Sequence, residues 1–505
     1  MLIEMILNRL ILILRTAVAV AGLSTIAVTA ADRPNIILCM GDDHGWEETG
    51  YNNHPHVITP VLDEMAANGL RLDHFYAHPS CSPTRGSVLT GRHPNRYGTF
   101  VPGCSLRPEE RTIAHLLKTA GYRCGHFGKW HVGPVKASSP TNPKAMGFDT
   151  YVSHDNFFEL DPHLSRQGGP PEVFKGESSA VIVKEALHFI EETAADGQPF
   201  LAVIWFGSPH EPYSGLPDDL ALYDDLPEEL TKRTVRLTSN KTGRPVTRQL
   251  RAVLRERYAE ITAMDRAIGT LRTRLHEKDL HDNTMIWYCG DNGTPKSGAL
   301  ASPFRGMKGQ TYEGGIRVPG IIEWPTCITK GCISNINSMT SDMLPTLCAI
   351  ADVEPPNRPI DGENLLPLID GTMKMRPSPL FFWMYGFKSE VKADLEPYLP
   401  AELQTGTTPL VKLSGDIATR NFRNYRHPNI EPWNRNGDRV ILQGQYKLHV
   451  HDEHPIQELF DLGTDPAEQY NLASEKPEVV ARLTRQLENW QDSVLNSLTG
   501  DDYTK

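Results

Sequence analysis

The chain has 505 residues, 62 Asp and Glu against 51 Lys and Arg for a net charge of −11, with 39% hydrophobic and 22% charged residues. That composition belongs to a globular protein; it excludes a disordered chain, a coiled coil and a multi-span membrane protein, and it leaves no basic footprint for nucleic acid. Against a domain norm of about 150 residues the length fits one very large domain or two, and eight Cys are too sparse for a disulfide scaffold.

Residues 1–31 read as a signal peptide. Arg9 and Arg15 precede an uncharged run, 16–31, that is rich in Ala, Val and Ile and ends in small residues before Asp32. That run is short of the ~20 residues a helix needs to cross a bilayer. The expectation is an exported protein, periplasmic or secreted, with no stable membrane span. The stretch before Arg15 is also apolar, which keeps an uncleaved anchor, or a start codon set too early, as alternatives.

Residues 35–40, apolar from Ile36 onward, read as a buried strand, followed by Gly41-Asp42-Asp43-His44-Gly45. A helix follows over 60–68, with Pro60 in the first turn, where its missing N–H costs nothing, and Gly69 as its stop. Residues 200–206 and 284–289 are further buried strands, ending in Gly207-Ser208-Pro209-His210 and Gly290-Asp291-Asn292-Gly293. Helical periodicity spans 179–194 and 248–278. Strands alternating with helices favour an α/β sheet covered on both faces, whose sites gather beyond the carboxyl ends of its strands. Past about residue 375 the character changes: 438–450 alternates like a strand and a helix closes the chain over 477–498. Cys39 and Cys289 lie in apolar runs and read as small buried hydrophobes. Cys327 and Cys332 are spaced to close a small disulfide loop, a pairing that sequence does not prove.

Asp42, Asp43, Asp291 and Asn292 offer hard oxygen ligands suited to Ca²⁺ or Mg²⁺. Either pair alone reads as a turn or a helix cap; together at strand ends they point to metal. In Cys81-Ser82-Pro83-Thr84-Arg85 a turn at Pro83, with a helix starting behind it at Gly86-Ser87, sets Cys81 near a positive helix end, as either a thiolate nucleophile or a buried filler. Lys129 and His131 in Gly128-Lys129-Trp130-His131, His210, and Lys308 in Arg305-Gly306-Met307-Lys308-Gly309 add cations and proton carriers. With Arg85 and a divalent ion, such a set suits a tetrahedral oxyanion ester.

These segments, in this order over nearly the whole mature chain, resemble the type I, formylglycine-dependent sulfatases of the alkaline-phosphatase superfamily. The anchor is Cys81-Ser82-Pro83-Thr84-Arg85 followed by Gly86-Ser87-Val88-Leu89-Thr90-Gly91, which is similar to the signature C-x-P-[S/T]-R-x-x-x-L-T-G. Residues 313–319 and the C-terminal Glu458-Leu459-Phe460-Asp461-Leu462, Asp465-Pro466 and Asn471-Leu472 agree as well. The resemblance implies a large central mixed β-sheet sandwiched by helices over 32–375, and a smaller C-terminal α+β domain with a short antiparallel sheet over 376–505. It implies that Cys81 is oxidised to Cα-formylglycine, whose hydrate attacks sulfur, and that Asp42, Asp43, Asp291 and Asn292 hold one Ca²⁺ that also touches residue 81. Arg85 would stabilise the hydrated aldehyde, Lys129 and Lys308 would neutralise sulfate oxygens, and Asp291 would accept the attacking proton. His210 would protonate the leaving alcohol and His131 would take the proton whose loss expels sulfate. Ser153 lies where some relatives place a polar sulfate-site residue, with His154 as the alternative.

The implied substrate is a sulfated carbohydrate, and the implied partner is a formylglycine-generating maturation enzyme. Segments 213–247 and 388–436 are candidates to wall the site, and Trp46, His44, His154, Asn156 and Arg423 to meet sugar groups or to pack. Two rival readings are a phosphonate or phosphate ester hydrolase of the same superfamily and a non-catalytic homologue that binds sulfated glycans.

Overall fold

The computed structural model describes residues 33–503 apart from 157, 239–243, 299–300, 386–394, 410–420 and 453–456. The signal-peptide reading of 1–31 lies outside the described residues. The strands that organise the molecule are β1 (Asn35–Gly41), β2 (Leu70–Leu72), β3 (Arg123–Lys129), β4 (Thr150–His154), β5 (His163–Arg166), β6 (Pro171–Val173), β7 (Phe200–Trp205), β8 (Thr284–Gly290), β9 (Gly320–Glu323) and β10 (Cys332–Ser334). They form one ten-stranded sheet in the order β10-β2-β9-β8-β1-β7-β3-β4-β5-β6. Its centre, β8-β1-β7-β3-β4, is parallel throughout, and antiparallel strands flank it on either side.

Central parallel strands are buried on both faces, which is why β1, β7 and β8 read as continuous apolar runs instead of alternating ones. The alternation survives in where each side chain goes. Ile36, Leu38 and Met40 join one core with α2 (Cys81–Thr90), α3 (Ile113–Thr119) and α6 (Met343–Ala351). Ile37 and Cys39 join the opposite core with α1 (Pro60–Asn68), α4 (Ser178–Ala195) and α5 (Leu250–Glu277). The sheet is therefore sandwiched by helices, as the sequence led us to expect. Cys39 and Cys289 are buried; Cys327 and Cys332 are exposed and unbonded to each other.

A second sheet of four antiparallel strands follows: β11 (Leu380–Trp383), β12 (Arg439–Gln443), β13 (Tyr446–Val450) and β14 (Gln457–Asp461), in that order. One face packs on α7 (Pro477–Thr499) through Ile441, Leu448, Leu459, Leu487 and Val494. The other, through Phe382, Val440 and Phe460, packs on Tyr76, Ile316 and Met339 of the larger unit.

Candidate active site

Four neighbouring parallel strands end at one place. β1 delivers Asp42 and Asp43, β8 delivers Asp291 and Asn292, β3 ends on Lys129, and the loop after β7 carries His210. The close approach of these loops requires glycine: a Cβ on Gly290 would sit 2.0 Å from the His44 carbonyl oxygen, and one on Gly293 2.0 Å from that of Gly314. Cys81 is the first residue of α2, so the helix starts ahead of Pro83 and not behind it as the sequence suggested; a proline in the first turn has no N–H to waste.

The cluster is buried and closely paired. Cys81 Sγ lies 3.5 Å from Asp42 Oδ1, 3.9 Å from Asp43 Oδ1 and 3.5 Å from Asn292 Oδ1. Lys129 Nζ donates to Asp42 Oδ2 at 2.5 Å, and Lys308 Nζ stands 2.5 Å from Asp43 Oδ1. Arg85 donates to Asp291 Oδ2 at 2.8 Å and to the Lys129 carbonyl at 3.0 Å, with its guanidinium over the Trp205 ring. The Asp43 amide donates to Asp291 Oδ1 at 2.9 Å, and Asn292 Nδ2 donates to Asp43 Oδ1 at 2.9 Å. His210 Nε2 is 3.7 Å from Asp43 Oδ2.

The ionisation states follow from burial and these partners. Burial works against charge on Asp43, yet Lys308, His210 and Lys129 hold its carboxyl well below the usual range. Burial, then the negative charge of Asp42, pushes the Asp291 carboxyl up against the opposing pull of Arg85. Burial, aided by Asp291, pushes the Cys81 thiol far up, so as a plain cysteine it is a poor thiolate nucleophile. Burial takes His210 down to about 3 despite Asp43, leaving a neutral imidazole.

The donor set fits a hard divalent cation. Single atoms of Asp42, Asp43, Cys81 and His210 all lie within 4.8 Å of one another, and oxygens of Asp42, Asp43 and Asn292 converge on Sγ of Cys81. Oxygens in that number suit Ca²⁺ or Mg²⁺.

The structure brings together Asp42, Asp43, Cys81, Arg85, Lys129, His210, Asp291, Asn292 and Lys308. His131 is tied to the same helix start, because Ser82 Oγ donates to its carbonyl at 2.7 Å. Ser153 does not join them: its Oγ pairs with His126 Nδ1 at 2.7 Å between β3 and β4. His154 contacts the Pro409 carbonyl through Nε2 and accepts from the Asn156 amide through Nδ1. His44 is engaged in the core with Tyr288 Oη and the Glu48 carbonyl.

Sequence reading missed the residues that hold this cluster from behind. Arg257 of α5 is fully buried against Glu48, and Lys447 of β13 is buried between Glu313 and Glu468. A signal existed for the first: Arg257 interrupts the apolar stripe of Val253, Leu254, Ile261 and Met264, and a charge on a buried stripe demands a partner.

Comparison with known proteins gives consistent matches. Residues 34–353 match the family model described as Sulfatase. Human arylsulfatase A is 30% identical over 479 residues, covering 90% of this chain and 87% of the relative. Human N-acetylgalactosamine-6-sulfatase is 28% identical over 512 residues, covering 92% and 87%. A solved structure in complex with its substrate, D-glucosamine-2-N,6-O-disulfate, superposes with a TM-score of 0.69 at 21% identity, covering 94% of this chain and 100% of that one.

Proposed function

Because this chain belongs to the sulfatase family, the sulfuric ester hydrolases, we propose that it removes a sulfate ester from a carbohydrate, using Cα-formylglycine made from Cys81 and one bound Ca²⁺. The observation that carries the reading is the convergence of Asp42, Asp43 and Asn292 oxygens on the Cys81 side chain, with Lys129, Lys308 and Arg85 around them. The relative named N-acetylgalactosamine-6-sulfatase favours a sulfated sugar as the substrate class.

The hydrated aldehyde would supply one hydroxyl to attack sulfur and a second whose deprotonation releases sulfate. The cation, held by Asp42, Asp43, Asp291 and Asn292, would supply positive charge beside a sulfate oxygen. Lys129 Nζ and Lys308 Nζ bind the other sulfate oxygens and match the charge that builds on them in the transition state. Arg85 holds Asp291 Oδ2, which orients that carboxylate to take the proton of the attacking hydroxyl. His210 Nε2 delivers a proton to the leaving oxygen; a sulfate ester brings negative charge beside a ring that burial, then Lys308 and Lys129, otherwise depress, and this favours the imidazolium. His131 takes the proton from the remaining hydroxyl. We read the chain as exported and as a client of a formylglycine-generating enzyme.

The test is desulfation of defined sulfated mono- and oligosaccharides, with the peptide bearing residue 81 weighed in the same preparation. The expected result is turnover together with an aldehyde at position 81; an active preparation that retains the thiol overturns the reading. Cys81→Ala should fold and show no turnover, and Cys81→Ser should lose most turnover because an ordinary hydroxyl has no second proton to give. Faster turnover of an aryl phosphate than of the matched aryl sulfate would favour the phosphoester alternative.

A further inference from the structure

Arg257 lies on α5, outside the strand ends that supply the catalytic groups, and its five N–H donors reach two separate active-site loops. Nε donates to Glu48 Oε1 at 2.7 Å and Nη2 to Glu48 Oε2 at 2.6 Å, a bidentate pair that offsets the burial of both charges. The remaining donor capacity goes to backbone. Nη2 donates to the Asp43 carbonyl at 2.6 Å, and Nη1 donates to the Pro209 carbonyl at 2.7 Å and meets Tyr213 Oη at 3.2 Å. Asp43 sits at φ 63, a left-handed conformation that a non-glycine residue holds only when its surroundings fix it. Pro209 directly precedes His210. One turn further along α5, Glu260 accepts the Ser214 amide at 2.7 Å, so one helix face grips the loop on both sides of His210.

We propose that Arg257, held in place by Glu48, is a positioning residue that couples the loop carrying Asp43 to the loop carrying His210 and sets the reach of His210 to the leaving oxygen. Lysine cannot replace it: a single ammonium lacks the planar fork that spans a carboxylate and two carbonyls at once. The inference rests on the general-acid reading of His210 given above, and it makes a claim that simple structural support does not. If Arg257 acts through His210, its loss must weigh on substrates that need a proton at departure and spare those that do not.

The experiment compares kcat/KM for 4-nitrophenyl sulfate, whose phenolate leaves unaided, with that for an unactivated sugar sulfate, in the wild type, Arg257→Lys and His210→Ala, with circular dichroism and thermal melts to confirm the fold. Arg257→Lys keeps the charge opposite Glu48. The double variant Arg257→Met with Glu48→Leu removes both charges and serves if the single variant does not fold. His210→Ala is expected to lose far more on the sugar sulfate than on the aryl sulfate. Arg257→Lys, or the double variant, is expected to show the same bias, with the sugar-sulfate loss exceeding the aryl loss by about tenfold or more, a part of the ~10²–10⁴-fold that a general acid contributes. Equal losses on both substrates, or none, in a folded variant overturn the coupling while His210→Ala still discriminates. If His210→Ala itself fails to discriminate, the general-acid reading falls first and the coupling falls with it.

Discussion

The two active-site lysines look alike in sequence and differ in what they hold up. Lys129 Nζ is wholly buried against Asp42, whereas the Lys308 side chain is 22% exposed beside Asp43. Removing Lys129 leaves the buried Asp42 carboxylate with the Cys81 side chain at 3.5 Å and, as its remaining cation among the described residues, Arg85 at 3.6 Å, and breaking a buried pair in this way costs about 3–5 kcal/mol. Lys129→Met should therefore lose both turnover and thermal stability, while Lys308→Ala should lose turnover with a much smaller change in melting. Melts and kcat measured on the same preparations decide it, and equal destabilisation by the two would contradict this account. The balance of charge suits the proposed pairing of a cation with a sulfate ester. Asp42, Asp43 and Asp291 face Lys129, Lys308 and Arg85, three against three. A divalent cation entering alone upsets that balance, and a sulfate ester offsets much of it.

Lys308 owes its position to an element far away in sequence. Its loop is anchored at Glu313, whose amide donates to Glu468 Oε2 at 2.7 Å and whose carboxylate accepts from Lys447 Nζ at 2.9 Å. Arg305 reaches Glu458 at 3.2 Å, and Tyr312 Oη donates to Glu458 Oε2 at 2.6 Å. The small sheet thus clamps the loop that carries Lys308. Glu468→Gln removes one of the two carboxylates around Lys447 and weakens the clamp. The expected outcome is a lower melting temperature and a fall in kcat/KM of about tenfold, the scale of a small misplacement; full activity in a destabilised variant would disconnect the sheet from Lys308. At this scale the sequence was readable where periodicity was strong. α5 spans Leu250–Glu277 where 248–278 was expected, and β7 and β8 fall on their apolar runs. It was unreadable where pairing is remote: β11 has four residues, and it is a strand because Phe381 pairs with Ile441 and Phe382 with Val440. Local pattern carries no trace of a partner some sixty residues away.

On the scale of the whole molecule, the parallel centre of the sheet sends four strand ends to one rim, so residues from 42 to 308 share a single pocket of charge. A cation bound there, as proposed, would tie β1 to β8 and should stabilise the fold. Protein stripped with a chelator should melt lower and lose turnover, and Ca²⁺ should restore both, by about 2.7 kcal/mol at a hundredfold excess over the dissociation constant. An unchanged melting curve on stripping and refilling would remove the ion from the reading. The sequence by itself determined the central strands β1, β7 and β8, the long helices and the family, because apolar runs and the Cys81 to Gly91 motif are local facts written in consecutive residues. Only the tertiary structure decided what surrounds that chemistry. It turned Ser153 toward His126 and left it out of the cluster, started the helix on Cys81, and buried Arg257 against Glu48. Each of those outcomes depends on which side chain arrives from another part of the chain to satisfy a buried polar group, and no stretch of sequence contains both halves of such a pair.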